Sequence, residues 1–99
     1  MVWAFGSPGT DDVFNGRNTK EARKTCPKEL WKVAARKLDQ LDSVERLVEL
    51  RIPPGNRLEA RTGRRQGQHS IRINDQYRIC FSWSDEGPDA VEIVDYHGE

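Results

Sequence analysis

A chain of 99 residues is the length of one small domain with a modest hydrophobic core. It contains no run of 18 apolar residues and no charged-then-apolar leader, so a soluble, cytoplasmic protein with no membrane partner is expected. Sixteen basic side chains offset sixteen acidic ones, a balance that by itself argues against a strongly anionic partner.

Val2-Trp3-Ala4-Phe5 predicts an opening strand, which Gly6-Ser7-Pro8-Gly9 ends in a sharp turn. A helical turn over Thr10 to Phe14 follows. Residues 15–25 lack apolar periodicity and carry many charges, so this stretch reads as a mobile loop, the alternative being a helix extension that orders only against a partner. Pro27 suits a first helical position and Glu29 a first turn. From there Leu30, Val33, Ala34, Leu38 and Leu41 recur at helical spacing and leave Lys28, Lys32, Arg36 and Asp39 to solvent. Asp42 followed by Glu45 has the form of a capping box and predicts a second short helix through Leu47 and Leu50. Pro53-Pro54-Gly55 ends helical structure. Cys26 and Cys80 have no metal-ligand spacing and are too few for a disulfide framework, so both are expected reduced, with Cys80 in the core.

From Arg57 onward the period falls to two. Leu58 to Arg61, His69 to Ile73, Gln76 to Trp83 and Ala90 to Tyr96 predict strands. Asn74-Asp75 sets a tight hairpin, and Asp85 to Asp89 closes the next. The expected fold is therefore α+β, with an N-terminal strand and helices packed on a curved antiparallel sheet, in one domain spanning residues 1–99.

The neutral total hides a separation of sign. Residues 17–37 hold eight basic side chains against two acidic ones, and 57–78 hold six arginines against Glu59 and Asp75. Residues 79–99 hold six acids and no Lys or Arg. Such a chain can present one basic face to phosphates while remaining neutral overall.

Along Val91 to Tyr96, alternation sends Val91, Ile93 and Asp95 to one face and Glu92, Val94 and Tyr96 to the other. Asp95, Tyr96 and His97 bring a carboxylate, a phenol and an imidazole together in succession, three groups able to orient, stack and move protons near neutrality, although a solvated strand end has the same composition. Arg78, on the neighbouring strand, either holds a scissile phosphate and neutralises its growing charge or pairs with Glu92 across the sheet. Arg64 and Arg65, in a Gly-bounded turn, suit a nucleic-acid backbone but also plain solvation. His69 reads as a packed or surface residue. There is no Gly-rich phosphate loop, serine elbow, Cys-His metal spacing or two-metal carboxylate pair. What remains open is metal-free RNA cleavage, in which the substrate's 2′-hydroxyl attacks the adjacent phosphate. No metal or cofactor is expected.

Three stretches, Glu49 to Glu59, Gly67 to Phe81 and Val91 to His97, together resemble the HigB-type toxins of the RelE/ParE superfamily, the plasmid-maintenance killer proteins of bacterial toxin–antitoxin pairs. The resemblance spans roughly residues 28–97. It implies a RelE-like fold and a metal-independent endoribonuclease that cuts mRNA in the A site of the 30S subunit and so inhibits translation. It also implies a HigA-like helix-turn-helix antitoxin that neutralises the toxin and carries it to operator DNA. Residue by residue, Asp95, Tyr96 and His97 fall on the family's C-terminal catalytic motif and Arg78 on its arginine. Arg57, Arg61, Arg64, Arg65 and Arg72 are the RNA- and ribosome-binding candidates. Where the family often has a lysine, this chain has Thr62, and the cationic role passes to Arg61, Arg64 or Arg65. The near-neutral pI of 6.7 and the 15–25 segment also depart from the family pattern. The competing readings are a non-nucleolytic inhibitor on the same scaffold, as in ParE-like gyrase poisons, and an inactive co-repressor subunit.

Overall fold

The change of period at Arg57 divides helices from strands. In the computed structural model, which describes residues 1–96, helices α1 (Pro8–Phe14), α2 (Lys20–Thr25) and α3 (Trp31–Ser43) precede strands β1 (Glu59–Ala60), β2 (His69–Arg72), β3 (Tyr77–Ser84) and β4 (Gly87–Asp95). The strands form one antiparallel sheet in sequence order, β1-β2-β3-β4. This is the expected α+β architecture.

Helix α3 buries the stripe that its sequence spelled out. Ala34, Leu38 and Leu41 are fully buried and join Ile71, Ile79, Phe81, Val91 and Ile93 from the sheet in one apolar cluster. Because Ile71 pairs with Ile79 and Ile79 with Ile93, these side chains share the helix-facing side of the sheet. Ser70, Arg72, Arg78, Cys80, Glu92 and Val94 alternate onto the other, polar side. Both cysteines are buried free thiols. Burial, with the Glu29 charge adding to it, pushes the Cys26 thiol up to about 11.

Register along β4 is reset by one residue. Ser82 pairs with Asp89 but Cys80 with Glu92, so Phe81 alone opposes Ala90 and Val91. Ala90 takes the left-handed conformation, φ 51°, that this bulge requires. The bulge turns both main-chain groups of Val91 outward. Its carbonyl accepts from Gly6 N at 2.7 Å and its N–H donates to Ala4 O at 3.1 Å. The expected opening strand is thereby reduced to an isolated parallel bridge between Phe5 and Val91.

Local capping explains the elements that the periodicity did not reveal. Where a loop was expected over 15–25, its second half is α2. Thr19 accepts from Ala22 N at 3.1 Å and donates to Asp12 at 2.6 Å, which together with Arg17 holds the Asp12 carboxyl below its usual range. Ala22 is fully buried because Gly9 lets α1 approach α2 closely. The second predicted helix is a 3-10 turn, Leu47–Arg51, and its cap is Glu49, which accepts from Arg46 N at 2.7 Å and Glu45 N at 3.0 Å. Asp42 instead lies inside α3 and accepts from Val2 N at 2.7 Å. The hairpin lies at Asn74-Asp75 as expected but is looser than a two-residue turn: Arg72 pairs with Arg78, neither Asn74 nor Asp75 takes positive φ, and Asn74 Oδ1 closes the turn by accepting from Gln76 N at 2.9 Å and Tyr77 N at 2.7 Å.

A Cβ on Gly9 would stand 1.8 Å from Thr25 Oγ1 and 2.5 Å from the Glu21 carbonyl oxygen. Backbone cannot move aside as a side chain can, so Gly9→Ala is expected to cost about 1–3 kcal/mol. A lowered urea midpoint at unchanged slope is the expected readout. An unchanged midpoint would mean that α1 and α2 do not pack this closely in solution.

Candidate active site

The β3–β4 register determines what can meet at the end of the sheet. Tyr77 pairs with Asp95 and Arg78 with Val94, so Tyr96, the next residue on the polar side, emerges beside Arg78. Tyr96 is partly exposed, at 39%. The Arg78 guanidinium carbon lies 4.6 Å from the centroid of its ring. Arg61, just past β1, brings a second guanidinium to 5.1 Å from the same centroid. Three chain segments thus converge on one aromatic ring through cation–π contacts.

Arg78 is nine-tenths buried. Its Nη1 donates to the carbonyls of Asn74 and Tyr77, so this arginine also ties down the β2–β3 turn. The Nε atoms of Arg61 and Arg78 are buried with no hydrogen-bond partner among the described residues. Buried donors are ordinarily paired, and these two sit beside the Tyr96 ring.

The remaining candidates are distributed unevenly. Asp95 alternates onto the helix-facing side, where its Oδ2 accepts from Gln76 Nε2 at 3.0 Å. Burial first, and then the Asp95 charge, raise the Tyr77 phenol above its ordinary value. Asp95 is therefore not brought onto the side that holds Arg78 and Tyr96. His97 lies outside the described residues. Arg72 donates to Asp75, and Arg57 is an exposed residue in the left-handed conformation, φ 48°.

Arg65 is committed to a contact within the fold. It donates to Glu92 Oε1 at 2.9 Å and Gln68 Oε1 at 3.1 Å, pinning the Gly63–Arg65 turn to β4. The pairing considered between Arg78 and Glu92 is thereby corrected: register places Glu92 opposite Cys80 and Arg78 opposite Val94, and it is Arg65 that reaches the carboxylate. Arg64 is exposed on the same turn and borders a polar recess with Arg65, Gln66, Gly67, Gln68 and Ser82. Of the three arginines that follow from the missing lysine at Thr62, Arg61 is the one that reaches Tyr96. His69 stacks on Phe81, with ring centroids 6.3 Å apart, on the helix-facing side. Among the described residues no three His, Cys, Asp or Glu side chains converge as a metal site would need.

Asp75 and Lys37 were missed by the sequence reading. Asp75 had served only as a turn residue, yet its carboxyl is held below the usual range by the Arg72 hydrogen bond and then by the charges of Arg72, Arg78 and Arg57. Lys37 donates to the buried Asn56 Oδ1, and burial followed by the charges of Arg36 and Arg72 lowers its proton affinity. Helical spacing marked Lys37 as neither core nor surface, and no local pattern pointed it at Asn56.

The sequence of the Vibrio cholerae serotype O1 protein Toxin HigB-1 is 46% identical over 62 residues, covering 63% of this chain and 65% of the relative. An uncharacterized protein of Haemophilus influenzae is 41% identical over 63 residues, covering 64% and 62%. The chain thus spans just under two thirds of the length of either relative. Among the described residues no helix is long and apolar enough to cross a membrane. A family model described as the RelE-like toxin of the type II toxin–antitoxin system HigB matches residues 12–97, which, with the sheet and helices above, shows that this chain belongs to the HigB-like family of RelE-like toxins.

Proposed function

We propose that the protein is the toxin of a type II pair, an endoribonuclease that cuts mRNA in the ribosomal A site and needs no metal, held inactive by a HigA-like helix-turn-helix antitoxin. Operator DNA is then reached only through the antitoxin, and the site of action is the cytoplasm. The observation that carries this reading is the meeting of the Arg61 and Arg78 guanidiniums at the Tyr96 ring.

In this mechanism the RNA supplies its own nucleophile, the 2′-hydroxyl, which attacks the adjacent phosphorus and expels the 5′-oxygen. The protein has to orient the strand, move two protons and neutralise the charge gathering on the phosphate oxygens. The partly exposed Tyr96 ring offers a stacking platform for a base. Arg78 and Arg61 supply the positive charge, and their preset position avoids reorganisation as the transition state forms. His97 passes its proton to the leaving 5′-oxygen, and the proton released by the attacking 2′-hydroxyl goes to solvent water. Asp95 acts through the strand end: its bond to Gln76 fixes the backbone that carries Tyr96. Arg57, Arg64 and Arg72 extend the phosphate contacts to RNA and ribosome. Arg65, with its carboxylate partner, shapes the turn that presents Arg64.

Transcript 5′ ends mapped after brief induction without antitoxin test this function. New ends inside coding sequences are expected from the wild type. His97→Ala should lose them while keeping its circular dichroism spectrum, since proton transfer contributes on the order of 10² to 10⁴ in rate. Growth arrest without new 5′ ends would sink the nuclease and favour a gyrase-type target. Undiminished cleavage by the folded variant would remove His97 from the mechanism.

A further inference from the structure

Arg72 and Arg78 are directly paired residues of β2 and β3, so their side chains leave the same side of the sheet at adjacent positions. Like charges in that relation repel, and the arrangement calls for an anion between or beside them. The turn joining the two strands supplies a carboxylate, since Arg72 Nη2 donates to Asp75 Oδ1. The Asp75 side chain is nevertheless 92% exposed and that of Arg72 only 30%, so the carboxylate sits at the outer rim of a more deeply seated guanidinium. Exposed pairs of this kind are weak and readily exchanged. Arg72 Nε is moreover buried with no hydrogen-bond partner among the described residues, a donor that Asp75 leaves unused.

The surroundings hold more positive charge than one carboxylate neutralises. Arg57 and Arg78 join Arg72 in stabilising the ionised Asp75. The 3-10 turn Pro54–Asn56 packs against β2, and Lys37 is bonded to Asn56 in that turn. Arg78 is shared with the Tyr96 ring, so an anion held here lies next to the stacking platform.

We propose that Arg72 and Arg78 form a phosphate cradle in which Asp75 is the resident counter-ion, and that a phosphodiester of single-stranded RNA displaces the Asp75 carboxylate on binding. This deepens the nuclease reading and rests on its assignment of the polar side to RNA. Asp75 becomes a positioning residue: it holds Arg72 in place in the free protein and sets a threshold that an incoming phosphate must exceed.

Fluorescence anisotropy with a short, labelled 2′-O-methyl RNA, which cannot supply the attacking hydroxyl, reads binding apart from cleavage. Asp75→Asn is expected to bind about two- to fivefold more tightly at low salt, the gain that follows from removing an exposed competing ion pair. Its log–log salt slope should match that of the wild type, since the same phosphate is bound in both proteins and only the competing carboxylate is lost. On an Arg72→Gln background the same substitution should have no effect. Asp85→Asn, at the opposite end of β3, controls for bulk charge and should leave affinity unchanged. The idea is overturned by no gain from Asp75→Asn, by an equal gain from Asp85→Asn, by a gain that survives loss of Arg72, or by absence of RNA binding. Tighter binding of a DNA strand of the same sequence would overturn RNA as the ligand. Absence of new transcript ends in cells would contradict the nuclease while leaving these binding results intact, so the two failures are distinguishable.

Discussion

Between the Ser82–Asp89 and Cys80–Glu92 pairs, β4 carries one residue more than β3, and Ala90 absorbs the mismatch at φ 51°. Side chains alternate with a period of two, so without that extra residue Arg78 would face Ile93 in place of Val94. Glu92, Val94 and Tyr96 would turn toward the helices, and Ile93 would turn away from the core. A left-handed alanine costs roughly 1–2 kcal/mol. The surrounding contacts offset it: Ala90 N donates to Asp89 Oδ1 at 2.8 Å, the N-terminal segment bonds both main-chain groups of Val91, and Thr10 Oγ1 accepts from Ile93 N at 3.0 Å. Helix α1 and the N-terminal segment therefore do more than cover the sheet, because they hold the register that aims Tyr96 at two arginines.

Electrostatics on the polar side follow from this register. Glu92 is directed toward Arg65 and consumes that charge in fastening a turn, while Arg78 is kept for the Tyr96 ring and the β2–β3 turn. Removing one partner of such a half-buried pair does not equal removing an exposed one, since the remaining charge is left partly desolvated. The neutral total charge is compatible with a nucleic-acid face because the acids of the β3–β4 hairpin tip, Asp85, Glu86 and Asp89, lie at the other end of β3 from Arg72 and Arg78. Local sign, not net charge, sets what the surface attracts.

Much of this was legible in the chain. The stripe of Ala34, Leu38 and Leu41, the Asn74-Asp75 hairpin and the strands over 69–73, 76–83 and 90–96 are local patterns, and each appears within a few residues of its expected place. Helix α2 was hidden because its one buried side chain, Ala22, generates no periodicity, and its docking depends on a glycine eleven positions or more away in sequence, at Gly9. The bulge had no signature, since Ala90 carries none of the turn chemistry that usually marks positive φ. For the site, the sequence pointed to the right strand ends but not to partners. Which arginine meets Tyr96, and which meets Glu92, is decided by how the turn between β1 and β2 folds back on the sheet. Alternation did separate Asp95 from Tyr96, and the structure keeps them on opposite sides.

Under the proposed nuclease function, Arg61 and Tyr96, from segments far apart in the chain, act on RNA as one unit with Arg78. The most direct test is a double-mutant cycle of Arg61→Gln and Tyr96→Leu, measured as single-turnover cleavage of ribosome-bound mRNA. If the guanidinium works through the ring, the double variant should lose little more than the worse single variant. Losses in log rate that simply add would show that the two side chains act independently, and would contradict a shared site.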